Sequence, residues 1–377
     1  MPITNLEQVF TSKSIASNYN KYLETANMQP FLGQVFFEDK KQDSLKLEFI
    51  KGKAGLPVAL MPSAFDSEVT IRDRIGVSVF NDEMPLFRDS FIIGEKERRK
   101  IIEAQSIDSP YLTATLNELY DDARKLIMGA DVAAERMRMQ LLAPVTGSPV
   151  ISVKANGVDM SYNYDPSGEW GKTNFKKLTG TAMWTDYENA DPIADIEELI
   201  QTASTVSGAD INVIIMTTKT LQDIMKCKKV QGYILSTVNG AVARISKKAV
   251  IDYITSEFNI TVQVYDKKFV DESGNVKSYY PDDMVTLLPN MKIGDTCYTQ
   301  TPEEIDLLGG SKADVSIVGT GVAVTVITEN KVPVRTQTVA SEIVLPSYEG
   351  MDYVFCIKTA EAASTQETET QTETTGE

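Results

Sequence analysis

Any chemistry in this chain must be done without histidine, because the sequence contains none. That removes the commonest general base, the commonest zinc ligand and every Ser-His-Asp or Cys-His triad. Cys227, Cys297 and Cys356 are far apart, odd in number and without a C-x-x-C spacing. They read as small buried thiols in a reducing compartment, not as a metal or redox set. Gly168-Glu169-Trp170-Gly171-Lys172-Thr173 ends like a phosphate-binding loop, yet Pro166 stands where the first glycine must be and no amphipathic helix follows. Gly319-Thr320-Gly321 lacks the third glycine of a dinucleotide fingerprint and sits inside strand-like alternation, so a turn or bulge is expected there. Paired acids such as Asp121-Asp122, Asp282-Asp283 and Glu303-Glu304 are expected by chance in so acidic a chain, and neighbours on a helix point in different directions. The residues therefore offer no catalytic set, no metal site and no cofactor. Trp170 and Trp184 bracket a polar segment and are expected as buried anchors between two domains, not as a ligand platform. The basic clusters Lys96, Arg98, Arg99, Lys100, then Lys226, Lys228, Lys229, then Lys247, Lys248 read as solvated faces or ion-pair partners.

Stepping outward to the whole chain, 377 residues are enough for two or three domains, and 42 % hydrophobic types can build their cores. Thirty-seven basic against 53 acidic residues leave a net charge of −16, the wrong sign for holding nucleic acid with a basic face. No apolar run reaches the roughly 18 residues that cross a bilayer, and the start lacks a basic stretch followed by an apolar block. A soluble protein, cytosolic where it is made, is expected.

The strongest local signal is a helix over 109–142. Ser109 is a good N-cap and Pro110 suits the first helical position. Leu112, Leu116, Leu119, Ala123, Leu126, Ala130, Ala133, Met137 and Leu141 then recur at steps of three and four. At 1.5 Å per residue it is about 50 Å long, and no comparable partner helix exists, so it is expected to lie alone across a sheet. Asp131, Glu135, Arg136 and Arg138 fall in the polar remainder around that stripe. Residues 1 to about 30 read as an extended arm with at most a turn or two of helix. Val35-Phe36-Phe37 and Leu45 to Phe49 read as strands, and 55–94, with Pro57, Pro62 and Pro85, as two polar-faced strands projecting from the body. Asn156-Gly157 marks a hairpin between 150–153 and 158–164. Helix and strand alternate from Asp191 to Tyr265, a turn falls at Asp271 to Asn275, and strands return from Val315 to Lys358. Thr359 to Glu377 holds five glutamates and no basic or aromatic residue, the composition of a disordered tail.

That order of elements resembles the Hong Kong 97-type viral capsid fold. Met61-Pro62-Ser63, Arg74-Ile75-Gly76, Pro85 and Ile92-Ile93 before a charged helix resemble the loop region of the phage major capsid protein E family, typified by phage lambda. Tyr280 to Val285, with the later Leu288-Pro289 and Gly294, and the stretch Ile343 to Val354 resemble that family's central and closing strands. The resemblance runs from Phe31 to Lys358 and rests on the order and spacing of these motifs.

It implies an α+β fold divided into an N-terminal arm with first strands (1–45), an extended β-hairpin loop (46–95), a peripheral domain with the spine helix and a β-hairpin (96–182), an α/β axial domain (183–310), returning peripheral strands (311–358) and the acidic tail (359–377). It implies a major capsid protein of a tailed phage that forms hexamers and pentamers of an icosahedral shell around double-stranded DNA. No enzymatic activity, cofactor or membrane is implied. The partners would be copies of itself, a portal, and scaffold or decoration proteins, with DNA enclosed but not read. Arg72, Asp73, Arg74, Phe80, Phe87 and Arg88 would make inter-subunit contacts from the loop. Leu112, Leu116, Leu119, Ala123, Leu126 and Met137 would form the buried stripe of the spine helix. The chain departs from the family in its acidic tail and in an arm without basic character, and nothing marks a lysine–asparagine crosslink. An encapsulin-like compartment shell, or an enzyme housed in the α/β middle, stands as the alternative.

Overall fold

The computed structural model describes residues 10–25, 30–51, 78–105, 110–155, 158–236, 245–307, 313–329 and 332–361. Among them, in chain order, the helices are α1 (Ser12–Thr25), α2 (Gly33–Phe36), α3 (Glu95–Gln105), α4 (Pro110–Leu142), α5 (Glu169–Thr173), α6 (Pro192–Val206), α7 (Thr218–Lys226), α8 (Lys228–Ser236), α9 (Lys247–Phe258) and α10 (Pro302–Leu307). The strands begin with β1 (Phe37–Lys41), β2 (Lys46–Lys51), β3 (Ser78–Glu83), β4 (Leu86–Ile93), β5 (Val150–Ala155), β6 (Val158–Asn163), β7 (Phe175–Lys177), β8 (Val213–Met216) and β9 (Thr261–Val264). They continue with β10 (Lys268–Val270), β11 (Val276–Ser278), β12 (Met284–Leu288), β13 (Gly294–Thr299), β14 (Asp314–Val318), β15 (Val322–Glu329), β16 (Arg335–Pro346) and β17 (Phe355–Lys358).

Two sheets organise the molecule. The first has the order β1-β13-β16-β15-β14, with β4 also on β16; β1 runs parallel to β13 and the other pairs are antiparallel. Its long strand β16 is twelve residues, enough to pair with β4 over Thr336 to Ile343 and then with β13 over Ile343 to Pro346. The second has the order β7-β17-β12-β8-β9, and β8 reaches its parallel neighbour β9 through α7, α8 and α9, the crossover that parallel pairing requires. Hairpins β2/β3, β5/β6 and β10/β11 stand outside both sheets.

The 33-residue helix α4 lies across the first sheet, packing against β16, β4 and β15 as well as β5. Its first half seats Leu119, Ala123 and Ile127 on Val322, Val324, Val326 and Ala340. Its second half seats Ala134, Met137, Leu141 and Leu142 in a separate core with Tyr164, Val344 and Tyr348. The α/β layer has its own core around Ile196, Ile214, Ile224, Val250, Leu287 and Phe355. Caps close its helices: Asp191 accepts from the Ala194 N–H, Thr217 from Thr220 and Ser246 from Ala249.

Several expectations are corrected. Residues 12–25 are not extended but helical, because Ile15 and Tyr19 fall one turn apart and sink into the core beside Leu119 and Val324. Val35 and Phe36 close a single helical turn before the strand begins at Phe37. The segment 86–95 does not belong to a projecting loop, since β4 is a paired strand of the first sheet. The axial boundary at 183–310 does not follow the sheets: the second sheet takes β7 and β17 from outside it, while β13 inside it joins the first sheet. The reason is pairing between segments distant in sequence, in which the buried strand Phe355–Lys358 completes one side of β12. The tryptophans are both buried but do not share an interface: Trp170 lies in the core of α4 and donates to the Met351 carbonyl, and Trp184 lies in the α/β core and donates to Asp195. Residues 156–157, 52–77 and 362–377 lie outside the described residues, so the Asn156-Gly157 turn, the loop tip and most of the tail expected from sequence are not described.

Candidate assembly surfaces and their anchors

Period-two alternation divides hairpin β2/β3 into two unlike faces. Phe49 and Phe80 are cross-strand partners and stack at 5.0 Å between ring centres; Tyr164 stacks on Phe80 at 4.6 Å and 12°. Leu47 is buried with them, and the Tyr162 hydroxyl donates to the Glu83 carbonyl, fastening the root of the hairpin to β6. The outward face carries Lys46, Glu48, Ile50, Val79, Asn81 and Glu83, with Asn81 donating to Glu48 and the directly opposed pair Ile50 and Val79 each more than 60 % exposed. The hairpin is therefore anchored by aromatics on one side and presents a mixed surface on the other.

The expected loop contacts divide accordingly. Arg72, Asp73 and Arg74 lie outside the described residues. Phe80 is a core residue, 4 % exposed, and is not available to a neighbour, because its ring packs against both Phe49 and Tyr164, which also stack on each other. Phe87 is half-buried against the same core. Arg88 points outward from β4 and pairs with Glu303 at 2.6 Å within the chain. Of the helix stripe, Leu119, Ala123 and Met137 are buried and Leu116 and Leu126 half-buried, as a helix seated on a sheet demands. The side chain of Leu112 lies outside the described residues.

Sequence periodicity missed the polar anchor of the long helix. Glu135 and Arg138, expected in the polar remainder, are fully buried between helix and sheet. Arg138 donates to Asp39 at 2.8 Å and Thr296 at 2.8 Å and lies 3.5 Å from Glu135. Glu135 also accepts from the Tyr265 hydroxyl at 2.7 Å and from the Gly33 N–H at 3.1 Å. Gly33 is required there: a Cβ would lie 2.5 Å from the Glu135 carboxylate and under 3 Å from Arg138. Asp131 accepts from Tyr19 at 2.7 Å, tying α1 to α4. Burial raises the pKa of Asp39, Asp131 and Glu135 above the usual carboxylate range, and the neighbouring Arg138 opposes that rise. Alternation along the helix could not show this, because a charged residue buried among partners from four other elements looks like a solvated one until those elements are placed.

Four members of the basic clusters find partners within the chain. Arg98 donates to Thr336, Lys226 to Asp223 and Tyr187, Lys228 pairs with Glu188 and Lys229 with Asp191. The thiols are inert: burial pushes Cys227 and Cys356 up to about 12 and Cys297 to about 11. Gly168 begins the short α5 in a left-handed conformation and Gly171 abuts the Gly147 carbonyl, so that loop is a packed turn and not a phosphate cradle. Gly319 likewise takes a positive φ in the turn from β14 to β15. Among the described residues no acidic or sulfur cluster could hold a metal, and no helix is long and apolar enough to cross a membrane.

What these anchors hold in place is a set of surfaces, and comparison with known proteins says what kind. Residues 19–311 match the family model described as phage major capsid protein E. The chain belongs to that family. It is the major capsid protein of a tailed phage, a structural component of the virion that forms an icosahedral shell, and not an enzyme. No curated protein matches it. Among solved structures it is similar to the putative capsid protein of a prophage of E. coli CFT073, at 14 % identity with a TM-score of 0.57, covering 93 % of this chain and 99 % of that one. It is also similar to a phage-related protein from Bordetella bronchiseptica RB50, at 12 % identity with a TM-score of 0.50, covering 94 % and 98 %. The mixed α+β fold of this capsid protein is thus of the Hong Kong 97 type. Family membership decides against the compartment and enzyme alternatives.

Proposed function

We propose that the chain builds its shell from hexamers and pentamers through contacts made outside its own cores. In this reading the loop that leaves the body at Lys51 and returns at Ser78 lies over a neighbouring subunit, with Arg72 and Arg74 supplying charge-assisted contacts to an acidic partner and Asp73 among the contact residues. The long helix is the spine of a peripheral domain, and the layer built on the second sheet surrounds the capsomer centre. A portal and scaffold or decoration proteins complete the assembly, and DNA is enclosed without sequence-specific contacts, in keeping with a net charge of −16.

The observation that carries this reading is the two-faced hairpin: aromatics lock the root of β2/β3 to the body while its other face leaves Ile50 and Val79 open. A hairpin so fixed at its base presents its open face in one orientation, which is what a contact with a neighbour needs. The test is electron microscopy with sedimentation of the wild-type chain and of an Arg72→Glu, Arg74→Glu variant. Wild type should give closed shells, tubes or capsomers, and the variant a folded chain that does not assemble. Normal shells from the variant would refute the loop contact.

A further inference from the structure

The band between the long helix and the first sheet holds more negative charge than its cations answer. Asp131 and Glu135 come from α4, Asp39 from β1 and Glu342 from β16. Arg138 contacts Asp39 and Glu135, and Lys267, which donates to the Pro30 carbonyl at the rim, faces Glu135. Tyr298 of β13 lies within electrostatic reach of Glu342, Asp39 and Asp131, and on β4 the exposed Asp89 shares the face of the sheet that carries Glu342. Tyr19 of α1 stands behind Asp131 and Tyr265 behind Glu135. Glu342 is the outlier of the group. It is 1 % exposed, and among the described residues no cation lies within ion-pairing distance and its Oε1 has no hydrogen-bond partner. Yet its charged neighbours include two carboxylates, Asp131 and Asp39, against the one guanidinium of Arg138.

An ionised carboxylate in that place is desolvated and repelled, whereas a neutral carboxyl is only a small buried polar group. We propose that Glu342 is carried as a neutral carboxylic acid, and that its proton is what lets the long helix seat on β16, so that this contact loosens as pH rises. Burial, then the Asp131 charge, drive the Glu342 pKa well above the ordinary glutamate value, with Arg138 opposing. The folded chain therefore keeps a proton that the unfolded chain releases. The stability this provides is complete below the ordinary glutamate pKa and is lost as pH climbs toward the raised folded value. Asp39, Asp131 and Glu135 are shifted in the same direction and add to the slope. Because α4 spans both the Ala340 core and the Tyr348 core, the proton sets how firmly the two are joined. The inference concerns a single subunit and stands whether or not the loop contact is right.

The test is urea unfolding of the full chain at pH 6 through 9, wild type beside Glu342→Gln, whose side chain has the same shape and no charge at any pH. In wild type the unfolding constant should rise by up to about tenfold per pH unit for each proton released, and E342Q should lose one proton's share of that slope. Amide exchange over residues 131–142, corrected for its intrinsic pH dependence, should quicken with pH more steeply in wild type than in the variant. Equal slopes for the two chains would overturn the proposal. Should E342Q fail to fold, infrared spectra of wild type carrying 13C-labelled glutamate still decide. A protonated-carboxyl band at pH 7 supports the proposal, and its absence overturns it.

Discussion

Replacing Arg138 with methionine keeps the volume of the long helix's seat but withdraws the guanidinium from its three partners. Arg138 is 1 % exposed, bonded to Asp39 and Thr296 at 2.8 Å each and set 3.5 Å from Glu135. Breaking a buried pair by removing one partner costs roughly 3–5 kcal/mol. The lower end applies here, because the Asp39 side chain is 31 % exposed and can rehydrate, and Glu135 retains Tyr265 and Gly33. We expect a loss of about 3 kcal/mol at pH 7, on the order of a hundredfold in the unfolding constant, read by urea denaturation of the full chain. Acidification should shrink that loss, since Glu135, already pushed upward by burial, can neutralise itself once its cation is gone. Adding Glu135→Leu to the variant should restore part of the stability, because the uncompensated charge leaves with it. A loss under about 1 kcal/mol at pH 7, or one that grows on acidification, would refute the claim that this band is an ionic anchor.

Further outcomes are expected elsewhere. Phe80→Ala removes the ring that packs on both Phe49 and Tyr164 and should cost about 3–5 kcal/mol in urea denaturation, whereas Val79→Ala on the opposite, exposed face should cost under about 1 kcal/mol. Gly294→Ala places a Cβ 2.2 Å from the Ser347 carbonyl oxygen, which is backbone and cannot rotate away. It should lower the melting temperature, while Gly94→Ala, where a Cβ meets nothing, should leave it within a degree or two.

Much of this fold was legible because its signals are local. The Ser109-Pro110 start and the stripe through Leu119, Ala123 and Met137 located the long helix to within a residue, since helix periodicity and capping act over a few positions. The start at Asp191-Pro192 did the same for the first helix of the α/β layer. Sheet membership was not legible from patterning. That β17 completes the sheet of β12, or that β13 joins β16 and not β12, is decided by pairing over tens to hundreds of residues, and alternation in one strand names no partner. The same limit hid Phe80: its alternation with Val79 marks one of them as buried, but the ring that selects Phe80, Tyr164, lies in another hairpin.

The buried charges failed to show for a different reason, and that reason says something about how the protein is built. A helix read alone assigns Glu135 and Arg138 to water because nothing in the helix can satisfy them. Their partners are Gly33 before β1, Asp39 in it, Tyr265 after β9 and Thr296 in β13, none closer than about a hundred residues. An apolar seam along α4 would accept the sheet in several registers, since hydrophobic contact is non-directional. A guanidinium that must meet Asp39 and Thr296 together accepts one, and a slip of the helix by a single turn would strand Arg138 among carbon atoms at a cost of several kcal/mol. For a subunit whose copies must all present the same surfaces, that selectivity matters more than the modest net stability of the band. It explains why an ionic cluster sits between the long helix and the sheet in a chain that had apolar residues enough to fill that seat.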